Sequence, residues 1–248
     1  MNVIFLGVGE AFDEENPNNS HLILSDRVLL LDCGYSTPRQ LWKYNPNQSF
    51  LDAVFISHGH ADHYFGLPAL LVRMWEEKRT KPLTIICHKG LKESIQELIE
   101  YGYKGCSTKF EFIIDFIEVE ENQKIKLNEL ELEFAPTTHS VKNLAIRIYD
   151  GKKSVCYSGD GMFTKETEKL YENADLVIHE AYLFDKKIPV HSSVKDLIQM
   201  AKRNNIKCLA LTHLQRDVKK NKREMIENEV SKRELKIIIP ISLEEYLL

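Results

Sequence analysis

The segment Ser57-His58-Gly59-His60-Ala61-Asp62-His63 sets three imidazoles and a carboxylate within six positions, directly behind the apolar run Ala53 to Ile56. Four such groups are costly to satisfy in an apolar core, whereas divalent metals accept neutral imidazole nitrogen and carboxylate oxygen together. Side chains of an extended chain alternate with a period of two, so His58 and His60 point to one side, while Asp62 and His63 begin the turn into a following helix. One peptide can thus serve two adjacent ions. A lone histidine would read as an ordinary satisfied polar residue; this density reads as metal binding. Two ions need more than four ligands, and three further candidates stand just past other apolar runs: His139 behind Leu132 to Thr138, Asp160 behind Ser154 to Gly159, and His213 behind Cys208 to Thr212. The C-terminal ends of strands are where sites gather in α/β architectures.

The elements that must position these residues are short runs rich in branched side chains. Strands are expected at Val3 to Leu6, His21 to Leu24, Val28 to Leu31, Ala53 to Ile56, Leu83 to Cys87, Phe110 to Val119, Leu130 to Phe134, Leu144 to Tyr149, Ser154 to Tyr157, Leu176 to Ile178, Lys207 to Leu211 and Lys236 to Ile239. Three helical stripes interleave with them: Leu67, Leu70, Leu71, Met74, Trp75; then Leu91, Ile95, Leu98, Ile99; then Val194, Leu197, Ile198, Ala201. Ser193 and Asp196 resemble a capping box for the last, which places His191 at a helix entrance. The architecture implied is two sheets with helices packed outside them, in a single domain over residues 1–248.

Composition narrows the class further. A net charge of -4 gives no overall electrostatic reason to bind nucleic acid. The five cysteines are scattered and never form Cys-x-x-Cys, so neither a disulfide framework nor a zinc knuckle is expected, and a reducing, cytoplasmic setting fits. Met1 to Leu6 reads as a first strand rather than a leader, and no run approaches membrane-spanning length.

Taken in order, His58-x-His60-x-Asp62-His63, Thr138-His139, Ser158-Gly159-Asp160 and Thr212-His213 resemble the motifs of the metallo-β-lactamase superfamily over nearly the whole chain. Within it, Gly66 to Leu71, Asp175 to Ala181 and His191-Ser192-Ser193 resemble the ribonuclease Z branch, with Tyr182 and Ser193 where that branch carries threonine. The resemblance implies an α/β fold, the four-layer αββα metallo-β-lactamase sandwich. It implies one ion at His58, His60 and His139, another at Asp62, His63 and His213, and Asp160 bridging. Zinc is the expected metal, with manganese or iron as alternatives, and a metal-bridging hydroxide is the expected nucleophile. Asp62, Glu180 and His191 are the candidate catalytic residues; Glu180 would orient and charge His191, which would give the leaving alkoxide its proton.

The remaining residues receive smaller roles. His179 reads as a buried, hydrogen-bonded neighbour of the site, and Asp32 as either an orienter of a ligand or a turn cap. Cys33 and Cys156 read as inert core residues, and His21 and His88 receive no role. The basic run Arg216 to Arg223 reads as a solvated face.

Two departures bear on substrate. Only twenty residues separate His139 from Asp160, and they read as a hairpin with no room for the arm by which ribonuclease Z grips tRNA. Asp13, Glu14 and Glu15 stand where that family has basic residues, and acidic groups repel phosphates. The expectation is a dinuclear metal-dependent phosphodiesterase acting on a small or non-tRNA phosphodiester, like arm-less relatives that cleave cyclic nucleotides; a homodimer is what the family resemblance implies. The alternatives are a tRNA 3′-processing endonuclease working without the arm, a thioester or lactone hydrolase on the same fold, or a non-catalytic metal-binding protein.

Overall fold

The computed structural model describes residues 1–186, 188–231 and 235–248. Its first half runs β1 (Asn2–Gly7), β2 (Ser20–Leu24), β3 (Val28–Leu31), α1 (Thr37–Tyr44), β4 (Ala53–Ile56), α2 (Ala61–Tyr64), α3 (Leu67–Glu76), β5 (Leu83–His88), α4 (Lys92–Gly102) and β6 (Ile114–Val119). The second half runs β7 (Lys124–Leu127), β8 (Leu130–Pro136), β9 (Leu144–Tyr149), β10 (Ser154–Tyr157), α5 (Lys165–Tyr171), β11 (Leu176–Glu180), α6 (Val194–Arg203), β12 (Cys208–Thr212), α7 (Arg216–Ser231), β13 (Lys236–Ile238) and β14 (Glu244–Leu247).

Two seven-stranded sheets result, ordered β14-β1-β2-β3-β4-β5-β6 and β13-β12-β11-β10-β9-β8-β7. In the first, β3 to β6 are parallel; in the second, β10 to β13 are parallel. The last strand returns to the first, with Asn2 opposite Leu247. Sheet-on-sheet packing explains the continuous apolar reading of β1. Val3 and Phe5 face the central core with Phe55, Phe134, Ile146 and Ile178, while Ile4 and Leu6 face the helices α1, α3 and α4 on the outside. Across the second sheet, Val177, Leu209 and Leu211 meet α5, α6 and α7. This is the four-layer αββα sandwich. The three expected stripes bury the predicted faces: Leu67, Leu70, Leu71 and Met74 in α3, Ile95 and Ile99 in α4, and Val194, Leu197, Ile198 and Ala201 in α6.

One strand is shorter than its sequence suggests. The run Phe110 to Val119 pairs only from Ile114, opposite Leu83. The residue before Leu83 is Pro82, which has no N–H to offer a ladder. Upstream of Ile114, Phe110 and Phe112 stack on each other instead, ring centres 5.2 Å apart, and join the helix-side core.

Candidate metal centre

The fold places the ends of β4, β8, β10 and β12 along one edge of the sandwich, and the seven candidate ligands leave from those ends. They form two groups that share one carboxylate: His58, His60, His139 and Asp160, and Asp62, His63, Asp160 and His213. Within each group one ligand atom per residue lies within 4.8 Å of all the others. His60 is extended and begins the single turn α2, which carries Asp62 and His63, so one peptide does serve both groups.

The tautomers show why a cation suits the first group. The His58 Nδ1 lies 3.0 Å from Ser57 Oγ, whose own proton goes to Asp32 Oδ2 at 2.7 Å. The His139 Nδ1 lies 3.2 Å from the Val190 carbonyl, which only accepts. Both histidines therefore hold their proton on Nδ1 and aim a bare Nε2 lone pair inward. Each of those lone pairs is 3.1 Å from His60 Nδ1. Burial pushes His58, His60 and His139 below the usual histidine range, so three neutral nitrogens converge, the form that binds metal.

In the second group, His63 Nε2 lies 3.2 Å from Asp62 and 3.5 Å from Asp160, and His213 Nε2 lies 3.5 Å from Asp62 and 3.4 Å from Asp160. His63 Nε2, His213 Nε2 and Asp160 Oδ1 are all buried without a hydrogen-bond partner. Buried polar atoms without partners are rare, and these three face one another across the space a shared cation would fill. Burial opposes charge on both imidazoles, but Asp160 and Asp62 overcome it, raising His63 well above its usual range and His213 to about 9. Reciprocally, Asp62 and Asp160 stay ionised despite burial because those imidazoles hold them below the carboxylate range. A divalent ion would replace the protons in this role.

Of the two roles the sequence offered Asp32, its side chain makes the contacts of an orienter, all to residues far along the chain. Asp32 occupies a left-handed backbone position, φ 58°, and its fully buried carboxylate accepts four bonds of 2.7 Å, from Ser57 N, Ser57 Oγ, Tyr157 Oη and His63 Nδ1. The last fixes the His63 tautomer so that Nε2 faces the site. Burial and Asp32 raise the Tyr157 phenol well above its usual range, which keeps it a donor. Asp160 is framed by Gly159 (φ 60°) and Gly161 (φ 102°). A Cβ on Gly159 would come 2.4 Å from Asn143 Oδ1 and 2.6 Å from Ser57 Cβ. Asn143 was not visible as a site residue in the sequence, yet its amide donates to Thr137 Oγ1 at 2.7 Å and to the Ser158 carbonyl at 2.9 Å and accepts from Asp160 N at 3.2 Å, tying the His139 loop to the Asp160 loop. Only the fold, through the β9–β10 hairpin, brings it there.

Glu180 is fully buried at the end of β11 and accepts the Ser192 and Tyr182 N–H groups at 2.7 and 3.0 Å. Its Oε1 is 3.5 Å from His191 Nδ1, and the His191 ring lies 5.2 Å from that of His139 and 6.2 Å from that of His213. His179 is buried outside both ligand groups, bonded through Nδ1 to the Glu180 carbonyl at 2.8 Å. His21 is buried between the rings of Phe5 and Tyr157, 5.2 Å from each, with both nitrogens unpartnered; burial lowers it to about 3. Cys33 and Cys156 are buried, with burial raising both thiols, that of Cys156 to about 12.

The acidic loop and the basic run turn out to answer each other. Lys219 meets Asp13 at 3.3 Å and Glu15 at 2.8 Å, Lys220 pairs with Glu14, and Arg216 meets the buried Glu10 at 2.9 Å. Helix α7 is therefore an ion-paired face, and the repulsion expected of the acidic loop is largely neutralised from within the chain. Among the described residues no helix is long and apolar enough to cross a membrane.

Comparison with known proteins places this geometry. The structure is similar to the metallo-β-lactamase fold protein YhfI from Bacillus subtilis, with a TM-score of 0.83 and 27% identity over 99% of this chain and 98% of that one. It shares its fold with the short form of human tRNase Z, TM-score 0.80 at 22% identity over 100% of this chain and 99% of that one. In sequence it is similar to Ribonuclease Z of Methanothermobacter thermautotrophicus, 27% identical over 86% of both chains. The molecule is thus a metallo-β-lactamase-fold protein of the ribonuclease Z-like branch, and in class a metal-dependent hydrolase. It belongs to the Anti-Pycsar protein Apyc1 family, whose model matches residues 1–235.

Proposed function

We propose that the protein is a dinuclear metal-dependent phosphodiesterase whose substrates are small phosphodiesters of the cyclic-nucleotide type. The observation that carries this reading is the Glu180–His191 pair set beside the two ligand groups, with His191 Nδ1 3.5 Å from a buried carboxylate. Two divalent ions held by His58, His60, His139, Asp62, His63 and His213, with Asp160 between them, would supply Lewis acidity toward phosphoryl oxygens and an activated water as nucleophile. Zinc is the first ion to test, before manganese and iron.

The chain's own residues handle the leaving group. As the water oxygen bonds to phosphorus and the opposite P–O bond breaks, His191 transfers its proton to the departing alkoxide oxygen, and the proton given up by the water restores the one His191 has lost. Glu180 is held by two backbone N–H groups, so it stays fixed while it stabilises the charged imidazole. A 3.5 Å separation without substrate is compatible with a bond that tightens when substrate binds. Twenty residues between His139 and Asp160 carry the β9–β10 hairpin and its flanking loops, which supports an arm-less site open to small diesters. The reading includes a homodimer in a cytoplasmic setting.

A second reading, tRNA 3′-end cleavage, is favoured by the similarity to proteins named Ribonuclease Z. Metal-loaded enzyme assayed on precursor tRNA, bis(p-nitrophenyl) phosphate and 2′,3′- and 3′,5′-cyclic nucleotides separates the two. Cyclic-nucleotide turnover that falls on His191→Ala with metal content retained supports the first; rapid precursor cleavage with no small-diester turnover overturns it.

A further inference from the structure

Tyr182 stands where the resemblance to the ribonuclease Z branch expects a threonine, and its ring lies flat on His191: centroids 4.4 Å apart, planes 22° from parallel. The same ring is 6.0 Å from that of His213. No hydrogen bond at Nδ1 fixes the imidazole, which stands 3.5 Å from Glu180, and the rings of His139 and His213 lie farther from it than Tyr182, at 5.2 and 6.2 Å. Both Glu180 oxygens are already engaged by backbone N–H groups, one of them that of Tyr182 itself. Tyr182 is in turn anchored at both ends of its peptide, its N–H on Glu180 Oε2 at 3.0 Å and its carbonyl accepting from Gln215 N at 3.1 Å, two residues beyond His213.

From this arrangement we infer that Tyr182 is a positioning residue that sets the plane of the His191 imidazole by ring stacking. Glu180 can act on His191 only along the imidazole plane; rotation about the Cβ–Cγ bond is checked by the Tyr182 face. Stacked aromatic pairs carry a preference that area burial alone does not give. A threonine offers no such face, so this chain orients its proton donor by a different device. The inference rests on the reading of His191 as proton donor, and it predicts that the ring matters most where the leaving group needs a proton.

The test uses metal-loaded wild type, Tyr182→Phe, Tyr182→Leu and His191→Ala on two diesters. A cyclic nucleotide leaves as an alkoxide and needs protonation; bis(p-nitrophenyl) phosphate leaves as a stable phenolate. Tyr182→Leu is expected to lose about 3- to 10-fold in kcat on the cyclic nucleotide, with much smaller loss on the nitrophenyl diester and with KM and metal content held. Tyr182→Phe, which keeps the ring, is expected to restore wild-type kcat to within about twofold. Equal losses on both diesters, loss of metal, or failure of Tyr182→Phe to restore activity overturns the positioning role. A normal Tyr182→Leu beside an impaired His191→Ala overturns it while leaving the proton-donor reading intact. An unimpaired His191→Ala, or a wild type that turns over neither diester, overturns that reading and this inference with it.

Discussion

Replacing Asp32 by asparagine isolates what its carboxylate does. Asparagine adopts positive φ readily, so the backbone requirement at φ 58° is still met and the shape is preserved. What changes is acceptor capacity. Oδ1 accepts from Ser57 N, and Oδ2 accepts from Ser57 Oγ, Tyr157 Oη and His63 Nδ1, each at 2.7 Å. An amide NH2 in the first position faces a backbone N–H that cannot turn away. In the second position it faces His63, whose Nδ1 can escape only by moving its proton to Nε2, the atom aimed into the metal site. Either way a buried donor loses its partner at about 1–3 kcal/mol, and charge-assisted bonds of about 1.5–3 kcal/mol each weaken. The expected loss is on the order of 3–5 kcal/mol in stability, with metal affinity falling about 10- to 100-fold. Urea unfolding of chelator-treated wild type and Asp32→Asn measures the first, and competition for zinc against a chromophoric chelator measures the second. A variant within about 1 kcal/mol of wild type that competes equally well for zinc would refute the reasoning and leave Asp32 a turn residue.

Two further perturbations probe the surroundings. His21 is neutral in the fold because burial depresses it to about 3, whereas the unfolded chain takes up a proton near 6.5. Stability is therefore unaffected above that value and lost as pH falls below it, by about 2 kcal/mol between pH 7.5 and 5. His21→Phe should remove that component, and identical pH dependence of the urea midpoints in both proteins would count against it. Gly159→Ala should cost stability and metal affinity together, because the new Cβ collides with Asn143 and Ser57 at a left-handed backbone position. Gly151→Ala, at φ 87° but in open space, should cost stability by about 1 kcal/mol with metal binding intact, as thermal melts and zinc titration would show.

The parts of the molecule that were legible in sequence share a property: their information is local. The cluster His58 to His63, the apolar runs ahead of His139, Asp160 and His213, and the three helical stripes each declare themselves within a few residues. Helices α1, α5 and α7 did not. Pro38 at the start of α1 and the Thr164/Thr167 capping box of α5 are start signals, but the apolar stripes behind them are short. α7 is a largely charged helix whose cations are read correctly only against the acidic loop some 200 residues earlier. The supporting residues Asn143 and Tyr157 also escaped, because their partners lie on other strands and loops, and Tyr182 stood out only as a departure from threonine, its contact with His191 being visible only in the fold. Arg79 is a similar case: a fully buried guanidinium that donates to the carbonyls of Gln48, Leu51, Lys81 and Pro82, with nothing in its neighbourhood to announce it.

The most direct test of the central claim is the rate of cyclic-nucleotide hydrolysis measured against the number of ions bound per chain, as chelator-stripped protein is titrated with zinc or manganese and analysed by mass spectrometry. Two ions per chain are expected, with turnover appearing as the two ligand groups fill. Binding of less than one ion per chain, or hydrolysis that proceeds at full rate without metal, would contradict the account.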